Sequence, residues 1–174
     1  MGASSRSEAF EQLCQIMTRL RAPDGCPWDR EQSFASIKPY LLEESYEVMD
    51  AIDAGDFEGL AEELGDLMLQ AVFLAQMAQE EGRFEIADSL KAINEKLIRR
   101  HPHVFAAGDA KTAEDVTKRW DEIKAQEKPR PKGLLAGVPS SVPALVEAQK
   151  ISKKAADAAN TASISEGSMP PFTT

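Results

Sequence analysis

The stretch YLLEESYEVMD, residues 40–50, has the spacing of a helix but carries charge where a bundle helix would carry leucine. Leu41, Val48 and Ile52 recur at helical intervals and mark an apolar stripe, yet Glu44 and Glu47 fall on or beside it. A second stretch, AEELGDLML at residues 61–69, repeats the oddity: Glu63 lies between Leu60 and Leu67, with Asp66 three residues on. Residues three apart share a helix face. One helix therefore carries an EExxE pattern (Glu43, Glu44, Glu47) and the other an ExxD pattern (Glu63, Asp66). The link between them, around Gly55 and Asp56, is only a residue or two, which makes the two helices antiparallel neighbours. The pairs Glu44/Glu47 and Glu63/Asp66 are then expected to face each other.

Outward from this hairpin the periodicity stays helical. A first helix is expected over Ser7–Arg21, with Phe10, Leu13, Cys14, Met17 and Leu20 as its apolar face and Ser5 and Glu8 at capping-box spacing. Turn signals in APDGCPWDREQ, residues 22–32, end it. The acidic hairpin is expected as Ile37–Ala54, with Pro39 in the first turn, followed by a helix capped by Asp56 that runs to Glu81 and stops at Gly82. The face Leu60, Leu64, Leu67, Ala71, Leu74 and Ala78 is its predicted core side. A fourth helix over Glu85–Arg100 carries Leu90, Ile93, Leu97 and Ile98, and a fifth starts at Thr112 with Asp115 and runs to Glu127. With no internal repeat and no strand alternation, the fold class is all-α, an antiparallel helical bundle. The domain reading is a flexible lead at 1–6, a helical domain at 7–128, a Pro/Gly connector and weak helix at 129–157, and a disordered tail at 158–174.

Bulk composition narrows the class. The chain has 174 residues, enough for one domain with a core, and 43% hydrophobic and 28% charged residues, as in soluble globular proteins. A net charge of −9 argues against non-specific nucleic-acid binding and against anionic membranes. The N-terminal MGASSRSEAF lacks the apolar segment of a signal peptide. The longest apolar run, Leu67 to Ala78, is too short for a bilayer and is interrupted by Gln70 and Gln76. Two cysteines without a CxxC pattern give no disulfide framework, so the expected compartment is a reducing cytoplasm.

Four carboxylates in a half-buried space repel one another and lose hydration. A divalent cation removes both problems, and oxygen-only ligands select a hard one, Mg²⁺ or Mn²⁺, over zinc. The competing explanation is ordinary: glutamate-rich helices are usually solvated faces. What favours a metal is that two helices carry the pattern together. A ferritin-like di-iron site needs Glu-x-x-His on two helices, and neither His101 nor His103 follows a glutamate by three.

The stretches GCPWDREQSFASIKPYLLEESYEVMDAI, AEELGDLMLQAVFLAQMAQEEGRF, NEKLIRRHPHVF and RWDEIKAQEK together resemble the MazG nucleoside triphosphate pyrophosphohydrolases, over about residues 8–155. The resemblance implies an all-α enzyme that cleaves (d)NTPs between the α- and β-phosphates to a monophosphate and pyrophosphate, with Mg²⁺ as cofactor. It also implies a homodimer or higher homo-oligomer. By position it implies Glu44, Glu47, Glu63 and Asp66 as metal ligands and Glu43 as the residue orienting the attacking water. It favours Lys96 and Arg100 as phosphate ligands and Trp120 as a base-stacking residue. Each of these three has a plain alternative: basic residues in a last turn complement the helix dipole, and an aromatic on a helix packs in a core or a subunit contact. Trp28 is read as packing its loop over the bundle. Many relatives carry two such domains in tandem, and here PKGLLAGVPSSVPALVEAQKISKKAA leads into a Ser/Pro/Thr tail instead. Two other functions remain open at this level: a narrow hydrolase specific for dCTP or phosphoribosyl-ATP, and a non-catalytic helical interaction module.

Overall fold

The computed structural model describes residues 5–106, 108, 111–127, 144 and 147–156. It divides into two compact units, one through Arg99 and one from Arg100. The first unit holds α1 (Arg6–Arg21), α2 (Pro27–Glu31), α3 (Phe34–Ala54), α4 (Phe57–Glu80) and nearly all of α5 (Ile86–Arg100). The second holds α6 (Pro102–Phe105) and α7 (Ala113–Glu127), and residues 147–156 are also helical. There is no strand among the described residues, so the all-α expectation holds. The connector at 129–143 and the tail from residue 158 lie outside the described residues.

Local chemistry sets the helix ends. At α1 the Ser5 hydroxyl accepts from the Glu8 N–H at 3.2 Å while the Glu8 carboxylate accepts from the Ser5 N–H at 2.7 Å, the reciprocal box foreseen from spacing. The segment after α1 is less irregular than expected, because Pro27 at the first position starts the short α2. Helix α3 starts a turn earlier than expected. Ser33 and Ser36 cap each other at 3.2 and 2.9 Å, which leaves Pro39 inside the helix. Proline there removes one backbone donor from the helix.

The α3–α4 connection is where glycine is required. Gly55 sits at φ 68°, the left-handed region, and closes α3 with Gly55 N–H to Ile52 C=O at 3.1 Å and Asp56 N–H to Ala51 C=O at 3.0 Å. Asp56 then caps α4 by accepting from the N–H groups of Glu58 and Gly59 at 3.1 and 3.0 Å. Two residues thus reverse the chain, and α3 and α4 pack along each other.

The core lies where α1 crosses the far half of this hairpin. Met17, Ile37, Val72, Phe73 and Met77 are buried, with Phe10, Leu13, Cys14, Leu20, Phe34, Leu69 and Leu74 packed around them. Polar contacts lock the crossing. Thr18 donates to Gln76 at 2.8 Å, and Arg21 grips the Glu80 carboxylate through Nε at 2.9 Å and a terminal nitrogen at 2.7 Å. The Arg21 guanidinium also lies over the Phe73 ring, 5.4 Å from its centroid.

Two predicted faces are corrected. On α4 the buried residues are Gln70, Val72, Phe73, Ala75, Met77 and Ala78, while Leu64 is 45% exposed. Residues 67–78 are apolar nearly all round, so the period alone selects no face, and contact with α1 decides it. On α5, Leu90, Ile93, Leu97 and Ile98 are all exposed, and within the first unit α5 packs against none of α1–α4.

In the second unit Thr112 and Asp115 form the expected reciprocal cap of α7, at 3.1 and 3.0 Å. Arg100 binds the Glu127 carboxylate at 3.0 and 2.5 Å, and the His101 and Trp120 rings lie 5.5 Å apart. Gly108 packs so tightly on the Pro102–His103 backbone that a Cβ would come within 2.7 Å of the His103 nitrogen.

Truncating the buried Met17 to alanine should cost about 2–5 kcal/mol in urea unfolding. The same change at its neighbour Ile16, 48% exposed, should stay within about 0.5 kcal/mol. Equal effects at the two sites would contradict the placement of the core.

Candidate metal centre

The antiparallel hairpin brings the two acidic patterns together. Glu44 on α3 and Glu63 and Asp66 on α4 each offer one carboxylate oxygen within 4.8 Å of the others. Glu47, one turn beyond Glu44, lies against both Glu44 and Glu63 and acts on their ionisation. Glu44 and Glu63 are half-buried, whereas Glu43 is exposed. Of the four residues expected to converge, Glu44, Glu63 and Asp66 form one set, and Glu47 borders it.

The electrostatics are those of crowded like charges. Burial raises the Glu44 carboxyl above the ordinary glutamate range; a hydrogen bond from Gln70 opposes this, and Glu47 and Asp66 push it further up. Burial also raises Glu63, helped by the charges of Glu47, Glu62 and Asp66. The donors are carboxylate oxygens only, with no histidine or cysteine in the set. Such a set fits a hard divalent cation, which cancels the repulsion that raises both groups.

The remaining expected site residues are placed differently. Lys96 is half-buried on α5, a helix that does not pack on α3 or α4. In the second unit, Arg100 is engaged with Glu127, their side chains only 14% and 16% exposed. Trp120, 38% exposed, stacks at a tilt on His101. Trp28 meets the Tyr40 ring edge-on at 5.8 Å and so joins the α2 segment to the first part of α3, in keeping with its structural reading.

Sequence reasoning missed Gln70. Its side chain is 7% exposed, and its Nε2 donates to Glu44 Oε1 at 3.2 Å. The signal was present as the polar interruption of the apolar run from Leu67 to Ala78.

The pKa directions fix the sign of a pH effect. A carboxyl whose folded pKa is raised is stabilising when protonated, and that stability is lost as pH rises through the window above its ordinary value. Glu80 and Asp115 are lowered, by Arg21 and by Thr112, so their contribution is complete above the ordinary range and falls away only below it. In EDTA the melting temperature should therefore rise on acidification from neutral toward the ordinary glutamate value of 4.5. A Glu44→Gln, Glu63→Gln double variant should flatten the trend. Thermal melts across that window check it, and a falling wild-type curve contradicts it.

Known proteins carry the same arrangement of sequence. The family model of the MazG nucleotide pyrophosphohydrolase domain matches residues 32–105, which span α3, the acidic hairpin and α5. The chain is 54% identical over 151 residues to the nucleoside triphosphate pyrophosphohydrolase of Escherichia coli K12, covering 85% of this chain and 57% of that protein. It is 50% identical over 147 residues to the nucleoside triphosphate pyrophosphohydrolase/pyrophosphatase MazG of Thermotoga maritima, covering 84% of this chain and 56% of that one. The chain thus spans a little over half the length of these curated relatives. A crystal structure of a mazG-related protein from Thermotoga maritima superposes with a TM-score of 0.56 at 30% identity, covering 66% of this chain and 97% of that one. Matched through its acidic hairpin by the family model, and overlapping nearly the whole of a solved relative, this chain belongs to the MazG family.

Proposed function

We propose that the chain is a Mg²⁺-dependent nucleoside triphosphate pyrophosphohydrolase that converts (d)NTPs to (d)NMPs and pyrophosphate in the cytoplasm, with Mn²⁺ as a substitute ion. The observation that carries this reading is the convergence of Glu44, Glu63 and Asp66 within 4.8 Å across two helices of a MazG-family chain. The names of its relatives support the reaction class. The proposed catalytic domain is the helical segment 7–128.

In this reading Glu44, Glu47, Glu63 and Asp66 would hold the cation, which would supply charge neutralisation for the phosphates. Glu43, exposed beside the cluster in sequence, takes the proton of a water whose oxygen bonds to the α-phosphorus. The bond from the α-phosphorus to the bridging oxygen breaks, and pyrophosphate leaves. Lys96 and Arg100 serve the phosphates. For Arg100 a phosphate oxygen would replace the Glu127 carboxylate, a like-for-like exchange of anionic acceptors. Trp120 offers an exposed ring to the base. The reading also includes a homodimer: Leu90, Ile93 and Ile98, exposed on α5, suit a second copy of the chain.

Incubation with a panel of NTPs and dNTPs, with Mg²⁺ and with EDTA, tests the reaction. Monophosphate plus pyrophosphate formed only with metal is the expected result; diphosphate plus phosphate would mean that a different bond is cut. Glu63→Gln and Asp66→Asn should each lower turnover on the order of 10³-fold, several kcal/mol of lost charge stabilisation, with unchanged far-UV circular dichroism. Sedimentation of an Ile93→Asp, Ile98→Asp variant should show a monomer where the wild type is a dimer; a monomeric wild type would refute the assembly.

A further inference from the structure

We propose that Gln70 is a positioning residue of the carboxylate centre: its amide holds one oxygen of Glu44 and so fixes how that carboxylate is presented to a cation. This rests on the metal reading given above.

Gln70 is the one buried polar side chain among the described residues, at 7% exposure. It stands on the stretch of α4 whose other buried residues are Val72, Phe73, Ala75, Met77 and Ala78, where a leucine would bury without cost. A buried amide is costly unless it is hydrogen-bonded. Its Nε2 donates to Glu44 Oε1 across the helix pair at 3.2 Å. Glu63, Asp66 and Gln70 are spaced i, i+3, i+7, one face of α4. The amide thus lies on the same face as the two acidic residues of α4 and reaches the acidic residue of α3 that completes the set.

The residue type matters as much as the place. An ionised carboxylate only accepts hydrogen bonds and needs a donor to hold it. Lysine or arginine would supply one, but would neutralise Glu44 and repel a cation. A glutamine donates without adding charge, so it orients the carboxylate and leaves its attraction for the ion intact. It also favours the ionised form of Glu44, opposing the effect of burial. Partners that orient ligands in this way typically contribute about 10–100-fold to metal affinity.

The test is Mn²⁺ affinity of the full chain, measured by electron paramagnetic resonance of free Mn²⁺ and by calorimetry, for wild type, Glu44→Gln, Gln70→Met and Gln70→Asn. Circular dichroism and thermal melts in EDTA are recorded alongside. Gln70→Met removes the donor at similar size. Gln70→Asn keeps a buried amide but withdraws it from Glu44, and serves if the methionine variant fails to fold. The expected result is Mn²⁺ binding weakened about tenfold or more in the Gln70 variants, with the melting temperature in EDTA held or raised in the methionine variant. Lower melting temperatures with unchanged Mn²⁺ affinity would make Gln70 a purely structural residue and overturn the proposal. Failure of wild type to bind Mn²⁺, or equal binding by Glu44→Gln, would instead overturn the metal reading and this inference with it.

Discussion

The α3–α4 hairpin carries a repulsion that packing elsewhere in the first unit must offset. Glu44, Glu47, Glu63 and Asp66 are held near one another between α3 and α4, and burial raises the carboxyls of Glu44 and Glu63 rather than favouring their charge. A helix pair with such an inner face does not gain its stability there. It gains it further along, where α1 closes over α4 and Met17, Ile37, Val72, Phe73 and Met77 exclude water. The hairpin is thus apolar and fixed toward one end and acidic toward the other. Separating stability from chemistry lets the acidic part carry groups that a bare protein would rather not assemble.

That division explains why the polar contacts fall where they do. Arg21 is 10% exposed, yet it is held by Glu80, by the Asp29 carbonyl at 2.5 Å and by the Phe73 ring, so its charge is matched on each side. It fastens α1, the α2 segment and the end of α4 in one place. At the acidic part the corresponding tie is a neutral amide, Gln70. A lysine or arginine there would cancel the negative charge of the cluster, which a neutral amide leaves in place. The contrast between a charged clamp at one site and an uncharged one at the other follows from what each must leave available.

Membership of the MazG family and the geometry of the hairpin support one reaction class. In the second unit Arg100 and Glu127 form a short ion pair largely withdrawn from solvent, so each charge is matched by the other. Trp120 is similarly held against His101 with part of its ring open. Helix α5, which carries Lys96, exposes the apolar side chains of Leu90, Ile93 and Ile98.

The sequence by itself determined the helical fold, the antiparallel hairpin and the acidic pairs, because these depend on local quantities: the 3.6 period, the Gly55–Asp56 reversal and residue spacing within one helix. The caps at Ser5 and Thr112 were legible for the same reason. Tertiary structure alone decided which side of α4 is buried, since residues 67–78 are apolar nearly all round and only contact with α1 breaks the tie. Gln70 belongs to this second class. In the sequence it is a polar break in an apolar run, and it gains its meaning only because α3 lies alongside and sets Glu44 within 3.2 Å of its amide. Spacing along one chain fixes which residues share a face; it takes packing between helices to fix what that face meets.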